Sequence, residues 1–397
     1  MGDPRLKRNL REKIQFVIWQ SGQYKPSAQT GSVERWRLIG IAEYGKAVVM
    51  EYMGKQVWCE EPSLADEYRI RYVEGIDEYI QKMNRECKGI RRNSMPPESL
   101  KNMQSYYREK YKDMLGLDLF SGTVSKPVEM HYAGDDDVCS IYRLNVYITD
   151  EIPFYSMLLL PHGVEAPMPL VIAQHGGGGT PELCCDIYGN NNYNHMAQRA
   201  LRRGAAILAP QLLLWSRDET ATMRAHNIPY DRGKTDVDMK RFGGSITALE
   251  ISGIMKTLDY VCGMKEIDEE HIAMIGLSYG GYFTLHTMAA DTRIKAGYCA
   301  GVFNDRDIYD WQDLCYKGSA VSFQDAEAAA LCAPRKLYIQ VGKKDTVFDY
   351  NSALPEIARV YEYYAVFGEE NNFRFSLWEG GHTVSDSDEG YDFIFGS

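Results

Sequence analysis

The run IAMIGLSYGGYF, residues 272–283, decides how this chain is read. Ile272–Ile275 is a short apolar strand, and Tyr282, Phe283, Leu285 and Met288 mark the start of an apolar helix face. Between them lies Gly276-Leu277-Ser278-Tyr279-Gly280, a Gly-x-Ser-x-Gly elbow. A turn this sharp strains the serine, and a Cβ at either glycine would collide with the neighbouring strand or helix. The serine hydroxyl is thereby held at the carboxyl end of a strand, where open α/β sheets bind their ligands. The five-residue pattern alone is weak; the strand before it and the helix after it make it specific.

Outward from the elbow, strand and helix patterns alternate from Ser121 to the end, which predicts an α/β fold with a mostly parallel sheet. Residues 141–148 and 153–161 read as an antiparallel entry pair. Leu170–Ala173, Ala205–Ala209, Ile272–Ile275, Ile294–Ala300, Lys336–Val341 and Phe373–Trp378 complete a sheet of about eight strands flanked by helices. Ser245 is placed to cap a helix whose face is Ile251, Ile254, Leu258 and Val261. Leu354, Ile357, Val360, Tyr361 and Tyr364 stripe another. The segment 211–242 is long, polar and weakly patterned, a plausible cap over a site. Residues 1–120 differ: charged, rich in Tyr, and helical in period over 63–86 and over Leu100–Leu115, with Gly116 as a stop. They are expected to form a helical extension packed on a catalytic domain spanning 121–397.

A serine hydroxyl is a poor nucleophile until a base takes its proton and a carboxylate orients that base. Only His286 and His382 lie downstream of Ser278. His286 falls two turns into the helix behind the elbow. His382 sits in Glu379-Gly380-Gly381-His382, just past the last strand, and is the expected base. Asp345, just past the strand ending at Val341, is the expected acid, with Asp305 and Asp307 as rivals. The glycine run after His175, Gly176 to Gly179, lets backbone approach a reacting carbon, and the N–H groups of Gly177 and Tyr279 are the expected oxyanion donors. A phosphate loop is the competing reading, but the Lys-Ser/Thr that should follow the glycines is missing. His175 itself is expected to be structural. Trp215, Tyr282 and Trp311 are candidates to line a substrate pocket. Asp386, Asp388 and Glu389 are expected to cap the final helix, and Asp135 to Asp137 to form a polar turn.

Composition narrows the function class. A net charge of −11 argues against a nucleic-acid surface. Nine cysteines, without a Cys-x-x-Cys pair, read as thiols in a reducing compartment. No window approaches the ~18 apolar residues of a membrane span, and the amino terminus lacks a signal-peptide core. The expectation is a cytoplasmic protein; a secreted one whose leader had been removed would read the same. Self-association stays open.

Taken together, these residues resemble the α/β-hydrolase superfamily over roughly 121–397. More narrowly, the elbow block Ile267–Gly281, the His175-Gly run and Met196–Pro210 are similar to the branch holding dienelactone-hydrolase-like proteins and acetyl xylan esterases. So are the entry YREKYKDMLGLD and the stretch VDMKRFGGSITALEISGIMKTLDYV. Dienelactone hydrolases use cysteine where this chain has Ser278. The resemblance implies hydrolysis of carboxylic esters, small-molecule or carbohydrate, often acetyl groups on sugars, with no cofactor and no metal. Two alternatives belong beside it: a serine peptidase of the prolyl-oligopeptidase type, and a non-catalytic binding protein on the same fold.

Overall fold

A computed structural model describes residues 37–41, 47–52, 54–60, 62–187, 191–214 and 230–396. The chain divides into two units, Met1–Arg85 and Glu86–Ser397. In the first, β1 (Arg37–Ile41), β2 (Ala47–Tyr52) and β3 (Lys55–Glu60) form a three-stranded antiparallel sheet. The expected helical extension did not include these strands. Each is only five or six residues long, and β2 and β3 carry β-branched and aromatic residues such as Val48, Val49, Val57 and Trp58. Helix α1 (Asp66–Ser94) spans the division, and α2 (Pro97–Leu115), which belongs to the second unit, begins after the Pro96-Pro97 break. Gly116 ends α2 at φ 81°, a left-handed C-cap that returns its N–H to the last helical carbonyls.

The second unit is built on nine strands, one more than expected: β4 (Glu129–Asp135), β5 (Cys139–Thr149), β6 (Ile152–Pro161), β7 (Met168–Gln174), β8 (Ala206–Pro210), β9 (Ile267–Leu277), β10 (Ile294–Ala300), β11 (Lys336–Gly342) and β12 (Phe373–Trp378). Their order is β12-β11-β10-β9-β7-β8-β6-β5-β4. The six strands from β12 to β8 run parallel, and β6, β5 and β4 extend the sheet antiparallel. The expected entry pair is β5 and β6. The unexpected strand, β4, is an edge strand with no fully buried residue, so it has no apolar alternation to reveal it.

Helices α3 (Met196–Leu201), α4 (Arg232–Arg241), α5 (Ile246–Val261), α6 (Tyr279–Ala290), α7 (Asp325–Cys332), α8 (Tyr350–Ala365) and α9 (Glu389–Phe395) complete the unit, with a single helical turn at Pro181–Cys184. Ser245 caps α5 as expected, its hydroxyl accepting the Ala248 N–H at 3.0 Å. Side chains alternate across the sheet, so its inner strands feed two separate cores. One core joins Ile172, Met274 and Ile339 to α2, α5, α6, α7 and α8. The other joins Val171, Ile275 and Tyr338 to α3 and α9. The final helix departs from expectation. Asp388 stands at its N-cap without capping it and instead holds Arg199, which also binds the Ser385 and Ser387 carbonyls. Among the described residues, no helix is long and apolar enough to cross a membrane.

Candidate active site

Register explains why distant residues meet. Across the parallel strands, Gln174 pairs with Gly276, Leu277 with Ala300, Ala300 with Gln340, and Gly342 with Trp378. The loops that follow β7, β9, β10, β11 and β12 therefore leave the sheet at one level and at one end. Adjacent strands lie about 4.8 Å apart, so the row of five spans only about 20 Å. Gly177, Ser278, Gly301, Asp345 and His382 all stand on these loops.

Ser278 is the turn between β9 and α6, with φ 59° and ψ −124°. Non-glycine residues rarely take positive φ, and such strain persists only when the surroundings over-determine it. Here they do. A Cβ on Gly276 would run into the Gly280 carbonyl, and one on Gly280 into the Gln174 carbonyl, so strand β7 and both ends of the elbow are in backbone contact. The Ser278 N–H donates to the Ala300 carbonyl at 2.8 Å. The residue itself is partly exposed.

Asp345 and His382 are joined. His382 Nδ1 lies 2.8 Å from Asp345 Oδ2, and the other carboxylate oxygen accepts the N–H groups of Val347 (2.8 Å) and Phe348 (3.1 Å). Their loops are stitched together by backbone: Lys343 N–H donates to the Trp378 carbonyl and Lys344 N–H to Gly380, each at 2.9 Å. Burial pushes the Asp345 carboxyl up, but the His382 hydrogen bond and the two backbone donors outweigh it and hold it below its ordinary value. The Asp345 side chain is wholly buried while that of His382 stays 21% exposed, so the imidazole can meet a ligand and its partner cannot. A Cβ on Gly301 would stand 3.4 Å from His382 Nδ1 and 3.6 Å from Asp345 Oδ2. Ala300 holds the Ser278 backbone, so the pair and the serine flank two consecutive residues, the last of β10 and the first after it. No hydrogen bond joins the Ser278 hydroxyl to His382 among the described residues. Such contacts commonly tighten only when substrate is bound.

The glycine run has a similar logic. Gly177 is exposed whereas residues 170–176 and 178–184 are buried or nearly so, which leaves its backbone as the accessible point of the turn. Gly176 N–H is held by the Tyr193 hydroxyl at 2.9 Å. A Cβ at Gly176 would lie 2.6 Å from the Leu277 carbonyl and 3.1 Å from Ser278 Cβ, so this turn abuts the elbow directly. Tyr279 is the first residue of α6, where backbone N–H groups point out of the helix end. His175 is fully buried: Nδ1 donates to the Gly176 carbonyl at 2.9 Å, and Nε2 accepts the Leu212 N–H at 2.8 Å. Its place is architectural.

The remaining residues separate. Trp311 is half-buried and stacks on Tyr279 (ring centroids 5.2 Å), then meets Phe348 (5.5 Å), which meets His382 (5.8 Å). An aromatic wall thus runs from the elbow to the imidazole. Tyr282 is 2% exposed and bonds Tyr316 through its hydroxyl at 2.7 Å, which puts it in the interior behind the elbow. Trp215 and residues 215–229 of the expected cap lie outside the described residues, and the rest of that segment carries α4. The rival acids are engaged elsewhere: Asp305 pairs with Lys88, and Asp307 with Arg91 and with Gln324 at 2.7 Å. His286 is buried against Tyr111 and Asp325. Phe348 and Gly301 were not foreseen; their importance lies in contacts across loops, which no motif marks. Asp136 closes the expected polar turn by accepting the N–H groups of Val138 and Cys139. Among the described residues, no group of three or more His, Cys, Asp or Glu side chains is placed to hold a metal ion.

No family model and no curated protein matches this sequence. Solved structures do match. A methylesterase superposes with a TM-score of 0.58 at 16% identity, over 80% of this chain and 67% of that one. A candidate acetyl xylan esterase from Bacteroides fragilis gives 0.57 at 15% identity, over 73% and 80%. A glucuronoyl esterase from Solibacter usitatus gives 0.54 at 13% identity, over 74% and 91%. At these identities the likeness establishes architecture: the chain has the α/β-hydrolase fold.

Proposed function

We propose that this chain is a serine hydrolase that cleaves carboxylic esters through an acyl-enzyme on Ser278. His382 is the general base and acid, and Asp345 holds it. The observation that carries the reading is the Asp345–His382 pair beside a strained serine at the carboxyl end of the sheet. With Nδ1 committed to Asp345, Nε2 is the ring atom left to take the Ser278 proton. As the hydroxyl attacks the ester carbonyl, negative charge gathers on the carbonyl oxygen. The N–H groups of Gly177 and Tyr279 are assigned to receive it, and fixed donors of this kind act without reorganising. The imidazolium then protonates the leaving alcohol, and water, deprotonated by the same nitrogen, releases the acid.

For substrate, we favour short acyl esters, acetyl above all, carried on carbohydrate. The structural neighbours named for acetyl xylan, methyl and glucuronoyl esters support an ester on a sugar. The half-buried Trp311 offers a ring face on which a sugar can lie, backed by the buried Phe348 that reaches His382. A cytoplasmic location belongs to the same proposal, on the free thiols of the eight described cysteines.

The test is a panel of p-nitrophenyl acetate, longer acyl esters, acetylated xylooligosaccharides and a chromogenic prolyl peptide. We expect acetyl esters to be hydrolysed, a fluorophosphonate to label the protein, and Ser278→Ala to abolish both. Peptide cleavage without ester cleavage would make it a peptidase. A wild-type protein that neither turns over nor labels would leave a binding protein.

A further inference from the structure

The two segments assigned to bind the oxyanion are far apart in sequence, yet one unbroken path of hydrogen bonds joins them. It begins at the glycine turn, where the Gly176 carbonyl takes the Nδ1 proton of His175. His175 Nε2 accepts the N–H of Leu212 at 2.8 Å. The next residue, Leu213, donates its N–H to Glu250 Oε1 at 3.1 Å. Glu250, on α5, is gripped by both terminal nitrogens of Arg232: Nη1 to Oε1 at 2.9 Å and Nη2 to Oε2 at 2.8 Å. The third guanidinium nitrogen, Nε, donates to Asp313 Oδ2 at 2.6 Å. Asp313 Oδ1 accepts the Tyr279 hydroxyl at 3.1 Å, and Tyr279 is the residue after the nucleophile.

Every side chain in this path is shielded. Arg232 is 8% exposed, Glu250 4%, Asp313 7% and Tyr279 5%. One cation stands between two carboxylates beneath the elbow. Taking such groups out of water is costly, and a buried ionic cluster is weak grounds for stability. Three points favour a positioning role. The planar guanidinium has a fixed fork of donors, and all three of its nitrogens are used, which Lys cannot reproduce. Both carboxylates spend their remaining capacity on groups tied to the candidate oxyanion donors, Leu213 N–H on one side and the Tyr279 hydroxyl on the other. The Tyr279 ring is also fixed against Trp311, so its backbone has little freedom left.

Resting on the reading given under Proposed function, we infer that Arg232, with Asp313 and Glu250, is a positioning clamp. It sets the Tyr279 backbone amide against the glycine turn, so that both donors meet the oxyanion together. None of the three touches the reacting atoms. Their effect passes through Tyr279 on one side and His175 on the other.

The experiment is steady-state kinetics on p-nitrophenyl acetate for Arg232→Lys, Tyr279→Phe and the double variant, beside thermal melts and fluorophosphonate labelling rates. Removing one oxyanion donor outright costs about 10²–10³ in kcat, so displacing one by a fraction of an ångström should cost less. We expect Tyr279→Phe, which deletes only the hydroxyl that Asp313 holds, to melt within a few degrees of wild type. Its kcat should fall about 10-fold with KM within 2-fold, and its labelling should slow in parallel. Arg232→Lys should lower kcat by 10- to 100-fold. The double variant should be no worse than Arg232→Lys, because both substitutions cut the same path. Ester hydrolysis abolished by Ser278→Ala is the separate control on the underlying reading. With that control intact, the clamp is overturned if folded Tyr279→Phe keeps wild-type kcat. It is equally overturned if only KM moves, or if the two effects multiply.

Discussion

Ser278 is held at φ 59° by neighbours that leave it no room to relax, and those neighbours are backbone rather than side chains. A methyl group at 280 would overlap the Gln174 carbonyl, which strand β7 fixes in place. We therefore expect Gly280→Ala to lose several kcal/mol, read as a Tm drop of roughly 5–15 °C, with any folded remainder labelling slowly at Ser278. Asp345→Asn makes a different demand. The amide keeps the shape but can present an N–H to Nδ1, which drives the imidazole to the wrong tautomer. A kcat loss of about 10³–10⁴ with little change in KM is expected, the size seen when such a carboxylate is neutralised. Equal kcat in Asp345→Asn would remove Asp345 from the proposal. At this scale the sequence was informative, because Ser278, Asp345 and His382 each follow a strand and their chain order is constrained. Phe348, Gly301 and Arg232 were silent: a stacking ring, a close approach and a clamp exist only once loops from different strands are brought together.

At the level of elements, α6 and α7 pack through apolar side chains, and a buried ion pair between Arg306 and Asp325 anchors the start of α7. Arg306 binds both oxygens of Asp325, at 2.8 and 2.7 Å, and His286 on α6 stands 3.5 Å from the same carboxylate. Burial pushes Asp325 up, but the Arg306 charge and the His286 contact outweigh it and hold it at about 2. Burial also holds His286 below its ordinary value, against the pull of Asp325, so the ring stays neutral. Both folded-state values lie below their unfolded ones, so both groups stabilise the protein at neutral pH and lose that contribution on acidification. The His286 part fades as pH falls below about 6.5, and the Asp325 part as it falls from about 4 toward 2. Urea midpoints should therefore decline between pH 7 and 5 in the wild type and decline less in His286→Gln. Asp325→Asn should lose about 3–5 kcal/mol at pH 7, because it strands Arg306 in the interior. Helix α2 was legible from its stripe of Leu100, Tyr107 and Tyr111, all now buried, although Met103 from the same stripe is 41% exposed. The cap of α9 was misread because Arg199, nearly 190 residues away, competes for Asp388.

On the scale of the whole molecule, the chemistry and the cohesion lie in the same unit. Every candidate site residue lies after Glu86, and among the described residues the buried apolar core begins at Met95. The last two turns of α1 belong to that unit and bring cations into it. Lys88 pairs with Asp305. Arg91, with no exposed surface, reaches Asp307 at 3.3 Å and Glu327 at 3.7 Å. These carboxylates also meet Arg359 and Gln324, so the short helical stretch from 86 to 94 closes a network on α7 and α8. Composition hinted at two regions, but the charged, weakly periodic stretch around residue 86 hid where one ended, since α1 runs through the division without a break. Two truncations separate the contributions. A chain beginning at Glu86 keeps Lys88, Arg91 and both cores, and should fold, label with fluorophosphonate and turn over p-nitrophenyl acetate within about 3-fold of the full protein. A chain beginning at Pro96 strands Asp305, Asp307 and Glu327 short of two cations, each loss of the order of 3–5 kcal/mol where the partner is buried. It should melt far lower or fail to fold. If the chain from Glu86 is inactive while remaining folded, the second unit does not carry the activity by itself.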